Sequence, residues 1–319
     1  MSEQMTLPQV QPGEKQSSTK PAPRTTERTS DGTKHRLIVR NFAHIREVNL
    51  ELGDLTLLVG PQGTGKSLAL QWLKVALDGK LIVQALKDAG SYDADPKVLI
   101  DLIFGVGMGT AWRADSVVTF DGKTVTPKGI ARIGNNVEHV FFIPAHRAML
   151  VSDGWALPFQ RLSSDTPVVA RIFSQNLFDR FNARDTDKLF PLDRLLKKEY
   201  RTHIDRAIFH GAVIALEKDA NHAKRLKLTH GDSSLPFMTW TAGQREFTPL
   251  LLGLYHLLTR TKLRKREDIE WVVIEEPEMG LHPHAITVFL LLVLDLLWRG
   301  YRVVLSTHSP HVVTAVWML

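Results

Sequence analysis

The sequence contains no cysteine, which excludes disulfide bonds, thiolate metal sites and a cysteine nucleophile. It also lacks a long uninterrupted apolar run. The longest such stretch, residues 285–298, contains Asp295 and is shorter than the roughly 18 residues that a membrane-spanning helix needs. The N-terminus shows no basic segment followed by an apolar one, which a secretory signal would have. We therefore expect a cytoplasmic protein without a membrane span.

The balance of charged and apolar residues is that of an ordinary globular protein. Hydrophobic residues make up 44% and charged residues 23% of the 319 positions, which is enough apolar surface for a core. This length predicts two domains, or one domain with a large insertion. The formal net charge is +6, and basic clusters occur at residues 197–198, 224–227 and 260–266. Such clusters fit contacts with nucleic-acid phosphates as well as a solvated surface, and the sequence leaves both open.

Hydrophobic periodicity predicts an α/β core. Apolar or alternating runs predict strands at residues 37–39, 48–52, 55–59, 140–143, 271–274 and 301–305, with a further strand pair at 212–216 and 225–228. Helical spacing begins at Ser67, and Gly79 offers a place for that helix to end. The Asp121-Gly122 pair predicts a hairpin turn, because both residues tolerate positive φ. Strand–helix–strand order at both ends of the chain predicts a parallel sheet interrupted by an insertion.

Composition divides the chain into four segments. Residues 1–34 are polar and contain several prolines, so we expect a disordered tail that cannot bury enough apolar surface to offset ordering entropy. Residues 35–150 and 236–319 would form the two parts of the core, the first with an antiparallel β segment. Residues 151–235 are predicted to be a mainly helical insertion. Because the sequence stops soon after the last predicted strand, we expect it to be a truncated fragment.

The strongest motif is a glycine-rich run between a predicted strand and a predicted helix. It consists of Gly60, Pro61, Gln62, Gly63, Thr64, Gly65, Lys66 and Ser67 and matches G-x-x-x-x-G-K-[ST]. Glycines let the backbone wrap around a polyphosphate with its N–H groups pointing inward, and the helix N-terminus adds favourable partial charge. Lys66 can reach the β- and γ-phosphates, and the Ser67 hydroxyl can ligate Mg²⁺. We expect the phosphates to contact this run and the following Leu68.

A second motif places acidic residues at the end of an apolar strand. Residues 272–274 are followed by Glu275, Glu276, Pro277 and Glu278. In a parallel sheet these carboxylates come to the carboxyl edge, where ligands of such folds bind. The first could hold Mg²⁺, and the second could orient or deprotonate an attacking water. Without the phosphate loop on the same chain, a solvated loop would be the better interpretation.

A third motif opens an apolar helix with small and polar residues. The segment runs from Thr239 through Thr241, Ala242, Gly243 and Gln244 to Glu246. Thr241 is suited to cap the helix. The free N–H groups, hydroxyl and amide at such a helix start can also bind a phosphate. A well-capped structural helix remains the alternative.

A fourth motif follows the last predicted strand and consists of Ser306, Thr307, His308 and Ser309. If that strand is central, His308 lies just past its end and beside the phosphate loop. A single histidine is often structural, but this position favours a functional one.

In this order, the four motifs resemble those of the ATP-binding-cassette (ABC) ATPases. They resemble more narrowly the branch that includes RecF, the SMC-like repair ATPases and the OLD-type ATPases described as AAA proteins. Residues 37–42 and Gly280-Leu-His-Pro283 are also similar to sequences of that branch. The resemblance implies a P-loop NTPase with a mixed-sheet, ABC-like core and an inserted subdomain.

The resemblance also implies roles at the phosphate loop and the acids. The glycine-rich run would be the Walker A loop that binds ATP, with Lys66 acting on the phosphates. Ser67 and Glu275 would hold Mg²⁺. Glu276 would be the catalytic base.

Other implied roles involve a second subunit. Thr241, Gly243 and Gln244 would form the signature loop, which in this family contacts ATP bound to the opposite subunit. His308 would be the switch histidine near the γ-phosphate, and residues 279–283 would form an interface loop. Two nucleotides would be held in an ATP-dependent head-to-tail dimer or a higher oligomer.

Three residues differ from the family pattern in ways that affect the expected rate of ATP hydrolysis. Ala242 replaces the first glycine of the signature, Glu275 replaces the commoner Asp, and Ala43 stands where many relatives have a basic residue. The glutamine loop of the family has no clear match. His146-Arg147 is the nearest local equivalent, with a surface turn as the alternative.

The resemblance favours an ATP-hydrolysing dimerisation switch in DNA maintenance, DNA repair or phage (antiviral) defence, with contact to nucleic acid and a separate nuclease effector among its expected partners. Two alternatives stay open. One is the nucleotide-binding subunit of a membrane transporter, and the other is a scaffold that senses ATP without hydrolysing it. The absence of sustained heptads argues against the long coiled coils of chromosome-bridging relatives.

Overall fold

The computed structural model describes residues 34–182, 188–192, 195–218, 223–258 and 265–318. The expected disordered tail lies outside the described residues, apart from Lys34, and so does most of the basic cluster at 260–266. The strands are β1 (His35–Phe42), β2 (Ile45–Leu52), β3 (Leu55–Val59), β4 (Trp112–Phe120), β5 (Lys123–Thr124), β6 (Val140–Ile143), β7 (Val151–Ser152), β8 (Trp155–Ala156), β9 (Lys188–Phe190), β10 (Val213–Lys218), β11 (Lys224–His230), β12 (Ser233–Pro236), β13 (Trp271–Glu275) and β14 (Arg302–Thr307). The helices are α1 (Lys66–Asp88), α2 (Pro96–Phe104), α3 (Val168–Asn182), α4 (Lys198–Ile204), α5 (Ala242–Leu257), α6 (Pro283–Arg299) and α7 (Pro310–Trp317).

A parallel sheet of order β3-β14-β13-β6 lies at the centre of the fold. A second, antiparallel sheet has the order β2-β1-β4-β5, and its strands all come from residues 35–124. The predicted turn joins β4 to β5, with Asp121 at φ 48 and Gly122 at φ 75. The predicted α/β fold class is confirmed by this arrangement.

The parallel sheet is buried on both faces and separates two hydrophobic cores. Along β13, Trp271 and Val273 pack into the core that contains α1, while Val272 and Ile274 pack into the core that contains α5 and α6. Side chains of a strand alternate between faces, so a strand covered on both sides has an unbroken apolar sequence. The apolar runs predicted as central strands are confirmed for this reason.

Helix α1 does not end at Gly79, so that prediction is wrong. The helix continues to Asp88 and is kinked at Asp78, where φ is −118 and ψ is 26. The Asp78 carboxylate accepts the backbone N–H groups of His139 and Val140, each at 2.9 Å, which ties the kink to β6. Gly79 is required by close packing, because a Cβ there would lie 2.5 Å from the carbonyl oxygen of Ile130.

The insertion is mixed rather than mainly helical. Besides α3 and α4, it contains a four-stranded antiparallel sheet of order β12-β11-β10-β9. The predicted strand pair is confirmed as β10 and β11, which place Ile214, Leu216, Leu226 and Leu228 in the same core as α5. These short strands alternate in polarity, which is a weaker sequence signal than a long apolar run.

The predicted apolar helix at 285–298 is confirmed as α6. Its one acidic residue, Asp295, is buried and accepts a hydrogen bond from Arg299 Nε at 2.6 Å. Among the described residues, no helix has the length and apolarity needed to cross a bilayer.

A buried ion network joins α1 to β6. Lys74 Nζ lies 2.8 Å from Asp78 Oδ2 and 2.8 Å from Glu138 Oε1, and it donates to the carbonyl oxygen of Val140 at 2.6 Å. Burial alone would lower the pKa of Lys74, but attraction to Glu138 and Asp78 outweighs it and raises that pKa. The ammonium therefore stays charged and compensates two carboxylates.

We predict that Lys74→Met lowers the free energy of unfolding by about 3–5 kcal/mol, because two acids remain in the network without their cation. Urea unfolding followed by circular dichroism measures the change. Lys80→Met is the matched control, since Lys80 is exposed on the same helix, and should change stability by no more than about 0.5 kcal/mol. Equal losses in the two variants would contradict a stabilising network.

Candidate active site

The glycine-rich run forms the loop between β3 and α1. Gly63 has φ 75 and Gly65 has φ 89, a left-handed conformation that favours glycine. Gly65 also packs closely, because a Cβ there would lie 2.6 Å from the Ile45 side chain, with His44 beside it. Residues 61–64 are exposed at the start of a 23-residue helix. This geometry suits an anionic ligand.

Lys66 is folded back over this loop. Its Nζ donates to the carbonyl oxygens of Gly60 and Pro61, both at 2.7 Å, while Thr64 Oγ1 donates to the Pro61 carbonyl oxygen at 3.0 Å. The ammonium is thus held against the main chain at the start of the loop.

Strand β14 places the acids next to this loop. It pairs with β3 through Thr307 opposite Val59, and with β13 through Ser306 opposite Glu275. Glu275 ends β13 in the same alternation as Trp271 and Val273, so it lies on the α1 side of the sheet. Its carboxylate accepts hydrogen bonds from the Ser67 side chain and from the Ala145 backbone. The structure therefore brings together the two residues predicted to bind Mg²⁺.

Burial dominates the electrostatics of Glu275. It raises the pKa of this carboxyl group to about 7, opposed by the hydrogen bonds from Ser67 and Ala145 and by the charge of Arg147. Within the described part of the chain, its buried Oε1 has no hydrogen-bond partner. A buried carboxylate oxygen beside a serine hydroxyl is a donor set that fits Mg²⁺.

Glu276 lies one residue further on, in a strained conformation. Its φ is 40, which is unusual for a residue other than glycine, and its N–H donates to the Ser306 carbonyl oxygen at 2.9 Å. The side chain is 21% exposed, and Oε1 lies 3.5 Å from His308 Nδ1. The predicted base and the predicted switch histidine are thus adjacent at the sheet edge.

Glu278 is a site residue to which the sequence analysis gave no role. Its Oε1 accepts from Thr307 Oγ1 at 2.5 Å and from the His308 backbone N–H at 3.2 Å, and lies 3.5 Å from His308 Nδ1. The carboxylate holds the turn that carries His308. The available signal was a third acid just after the strand, which in sequence looks like an exposed loop residue.

The predicted signature residues lie at the start of α5. Thr241 caps the helix through a capping box with Gln244, which confirms its predicted capping position. Gly243 packs against the loop after Glu278, since a Cβ there would lie 3.0 Å from the carbonyl oxygen of Gly280. Thr241 and Ala242 are exposed, so this helix start is accessible.

Gln244 differs from its expected role. Its side-chain Oε1 accepts from the Thr241 N–H, and its Nε2 donates to the carbonyl oxygen of Ile208, each at 3.2 Å. The amide is therefore turned inward and joins α5 to the insertion. In this structure Thr241 and the backbone around Gly243 form the surface that a second copy could contact.

The structure separates the two residues of the His146-Arg147 pair. His146 is exposed, as the surface-turn alternative predicts, whereas Arg147 is completely buried. The Arg147 guanidinium contacts the ends of β6 and β13.

We predict that Glu275→Gln makes the free protein clearly more stable at pH 8 and only slightly more stable, by about 1 kcal/mol, at pH 5. An unfolded glutamate has a pKa of about 4.3. The higher folded-state pKa means that the folded protein binds this proton more tightly, so unfolding free energy falls as pH rises from about 4 to about 7. Glutamine removes this cost, which amounts to about 3.5 kcal/mol at pH 8. Urea unfolding in EDTA at both pH values measures it, with the exposed Glu199→Gln as control. Equal effects of the two variants at pH 8 would contradict the prediction.

Comparison with known proteins adds to this geometry. A family model described as "AAA ATPase domain" matches residues 158–313, which include the start of α5, the acids and His308. A curated protein named OLD nuclease, from Thermus scotoductus, is 26% identical to this chain over an alignment of 320 positions. The alignment covers 86% of this chain and 58% of that protein. The chain thus spans little more than half the length of this relative.

Two solved structures are similar in part. One is a crystal structure of the Smc head bound to the C-terminal winged-helix domain of ScpA, with 12% identity and a TM-score of 0.45. The other is the SMC head domain from Thermotoga maritima, with 14% identity and a TM-score of 0.41. Each alignment covers 88% of this chain and 91% of the other. The match of residues 158–313 to the family model and the similarity to the curated relative confirm the predicted resemblance to the soluble P-loop ATPases of the RecF, SMC-like and OLD-type branch.

Proposed function

We propose that this protein hydrolyses ATP at the edge of the parallel sheet where the glycine-rich loop meets Glu275, Glu276 and His308. The observation that carries the proposal is the pairing of β14 with both β3 and β13. This pairing supports a single site in which a triphosphate on the loop has its far end beside the two acids.

In the proposed reaction, water attacks the γ-phosphorus and the bond to the β–γ bridging oxygen breaks. The water proton passes to Glu276, and the bridging oxygen leaves on ADP with the bond electrons. Lys66 would stabilise the charge of the phosphate oxygens, and His308 would contact the γ-phosphate. Ser67 and Glu275 would hold Mg²⁺, which when bound neutralises phosphate charge.

We also propose that ATP binding drives association of two copies. The exposed, capped start of α5 with Thr241 and Gly243 offers backbone N–H groups to the nucleotide on a second copy. Hydrolysis would then weaken the association. This part of the proposal is supported by the accessibility of the helix start and by the resemblance to ATPases that dimerise in this way.

The biological role is proposed from the relative alone. Because the similar protein is named a nuclease, we propose that this ATPase acts in a DNA-directed process such as DNA maintenance or phage defence. A nuclease activity would come from another part of the system, either a separate chain or a further segment. Release of nucleotides from DNA on addition of ATP to the chain and its partner would test this role.

We predict that Glu276→Gln lowers the rate of phosphate release by at least about 10²-fold, because a general base typically contributes that much. ATP binding should persist, since the loop residues are unchanged. Steady-state phosphate release and equilibrium binding of a fluorescent ATP analogue measure the two properties. Glu199→Gln, an exposed acid on α4, is the control with the same charge change.

The same measurement distinguishes the alternatives. Wild-type release no faster than that of Glu276→Gln would favour a scaffold that binds ATP without hydrolysing it. Recovery of a membrane permease bound to the chain would favour the transporter subunit.

We predict that the Glu276→Gln protein changes from monomer to dimer when ATP and Mg²⁺ are added, because the nucleotide is retained between the two copies. Light scattering after size-exclusion chromatography measures the mass. Adding Ala242→Arg places a bulky cation on the exposed helix start and should keep the protein monomeric without loss of ATP binding. Dimerisation of this double variant would rule out the helix start as the contact.

A further inference from the structure

Arg147 joins three segments of the site by donating hydrogen bonds to their main-chain carbonyl oxygens. It lies in a short turn after β6, at residues 147–150, and is one of the largest fully buried side chains. Among the described residues, its guanidinium donates to the main-chain oxygens of Pro144, Ala145, Glu246, Glu275 and Glu276 at 3.0–3.5 Å. These oxygens belong to three elements: the end of β6, the end of β13 and the first turns of α5.

Burying a cation costs desolvation free energy, even when carbonyl oxygens accept its hydrogen bonds. Burial lowers the pKa of Arg147 to about 10, opposed by the charges of Glu246, Glu278, Glu276 and Glu275. The group remains charged at neutral pH. Replacing buried ionic groups by apolar residues of similar volume is often neutral or stabilising, so packing alone does not account for arginine here.

The directions of these bonds indicate what the guanidinium does. On one side, Nε donates to the Glu246 carbonyl oxygen at 3.0 Å, about one turn after the Thr241 cap. On the other side, Nη1 donates to the carbonyl oxygens of Glu275 at 3.2 Å and Glu276 at 3.5 Å. One rigid planar group therefore joins the start of α5 to the backbone of the acids.

The backbone at Glu276 is where such a link has most effect. A non-glycine residue in a sparsely populated conformation costs about 1–3 kcal/mol and persists only when its surroundings hold it. The N–H of Glu276 is held by Ser306, and its carbonyl oxygen is held by Arg147. A shift of α5 would pull on this peptide through Arg147 and reorient the side chain.

We propose that Arg147 is a positioning residue that couples the start of α5 to Glu276, so that a contact made on the helix start by a second copy is transmitted to the base. The proposal rests on the proposed function, because it concerns the same site. Within the described ranges, Arg147 makes no hydrogen bond to the glycine-rich loop, and it would act through the main chain of Glu276.

The first test separates turnover from binding. Arg147→Lys keeps the charge but loses the planar fork, and Arg147→Met removes the buried charge at similar volume. We expect both to lower kcat for ATP hydrolysis at least about tenfold while the Kd for ATP changes less than about twofold. Arg171→Lys is the matched control, because Arg171 is also buried and donates to a main-chain oxygen, that of Leu102. The control should keep its kcat.

The second test does not depend on hydrolysis. Amide hydrogen exchange of the nucleotide-free protein should be faster in Arg147→Met at both residues 241–247 and residues 275–279. Exchange in Arg171→Lys should be unchanged at both segments.

Each outcome decides a separate point. Faster exchange at only one segment, or a kcat that is unchanged while Glu276→Gln abolishes release, would overturn the coupling. If the wild-type protein releases no phosphate, the proposed function fails, and exchange at the two segments still decides whether Arg147 links them. If Arg147→Lys does not fold, Arg147→Met provides the same comparison.

Discussion

The position of β14 between β3 and β13 is the constraint on which the candidate site depends. Parallel pairing sets Val59 opposite Thr307 and Glu275 opposite Ser306, so the loop, the acids and His308 all emerge at one edge. The strands are held there by two cores, one on each face of the sheet. A slip of one residue would turn Glu275 to the opposite face, away from α1. Packing of the apolar side chains therefore determines which carboxylate faces Ser67.

Several ionisable groups are buried near this edge of the sheet. Burial costs desolvation free energy, and nearby opposite charges offset part of this cost. Burial raises the pKa of Glu275 to about 7 and that of Glu246 as well, while it lowers the pKa of Arg147 to about 10. Arg147 and the acids lower the cost of burying one another, because opposite charges attract across a poorly solvated region. The Lys74 network at the other end of β6 is built on the same principle but joins helix to strand without any ligand. Charge is thus buried at both ends of β6, beside the candidate site at one end and between α1 and β6 at the other.

Much of this arrangement could be predicted from the sequence. The features that could not be predicted have one cause in common. Central strands and the phosphate loop have strong local signals, since burial on both faces requires an apolar run and a tight loop requires glycine. The kink at Asp78 and the close approach at Gly79 depend on β6 and on Ile130, which are distant in sequence. The inward amide of Gln244 depends on Ile208, and the role of Glu278 depends on Thr307. In each case the deciding partner is far along the chain, and the residue alone does not reveal it.

Glu276 has a strained backbone conformation, and several elements of the fold restrain its peptide group. A left-handed glutamate costs about 1–3 kcal/mol, and a single hydrogen bond contributes only about 1 kcal/mol net. One such contact offsets only part of a cost at the upper end of this range, whereas Ser306 on the N–H and Arg147 on the carbonyl oxygen offset more of it together. Glu278 adds a third restraint by holding the turn of His308, 3.5 Å from the Glu276 side chain. Because these restraints come from β14, the turn after β6 and the loop after β13, the Glu276 side chain is held in place only when the whole edge of the sheet is assembled.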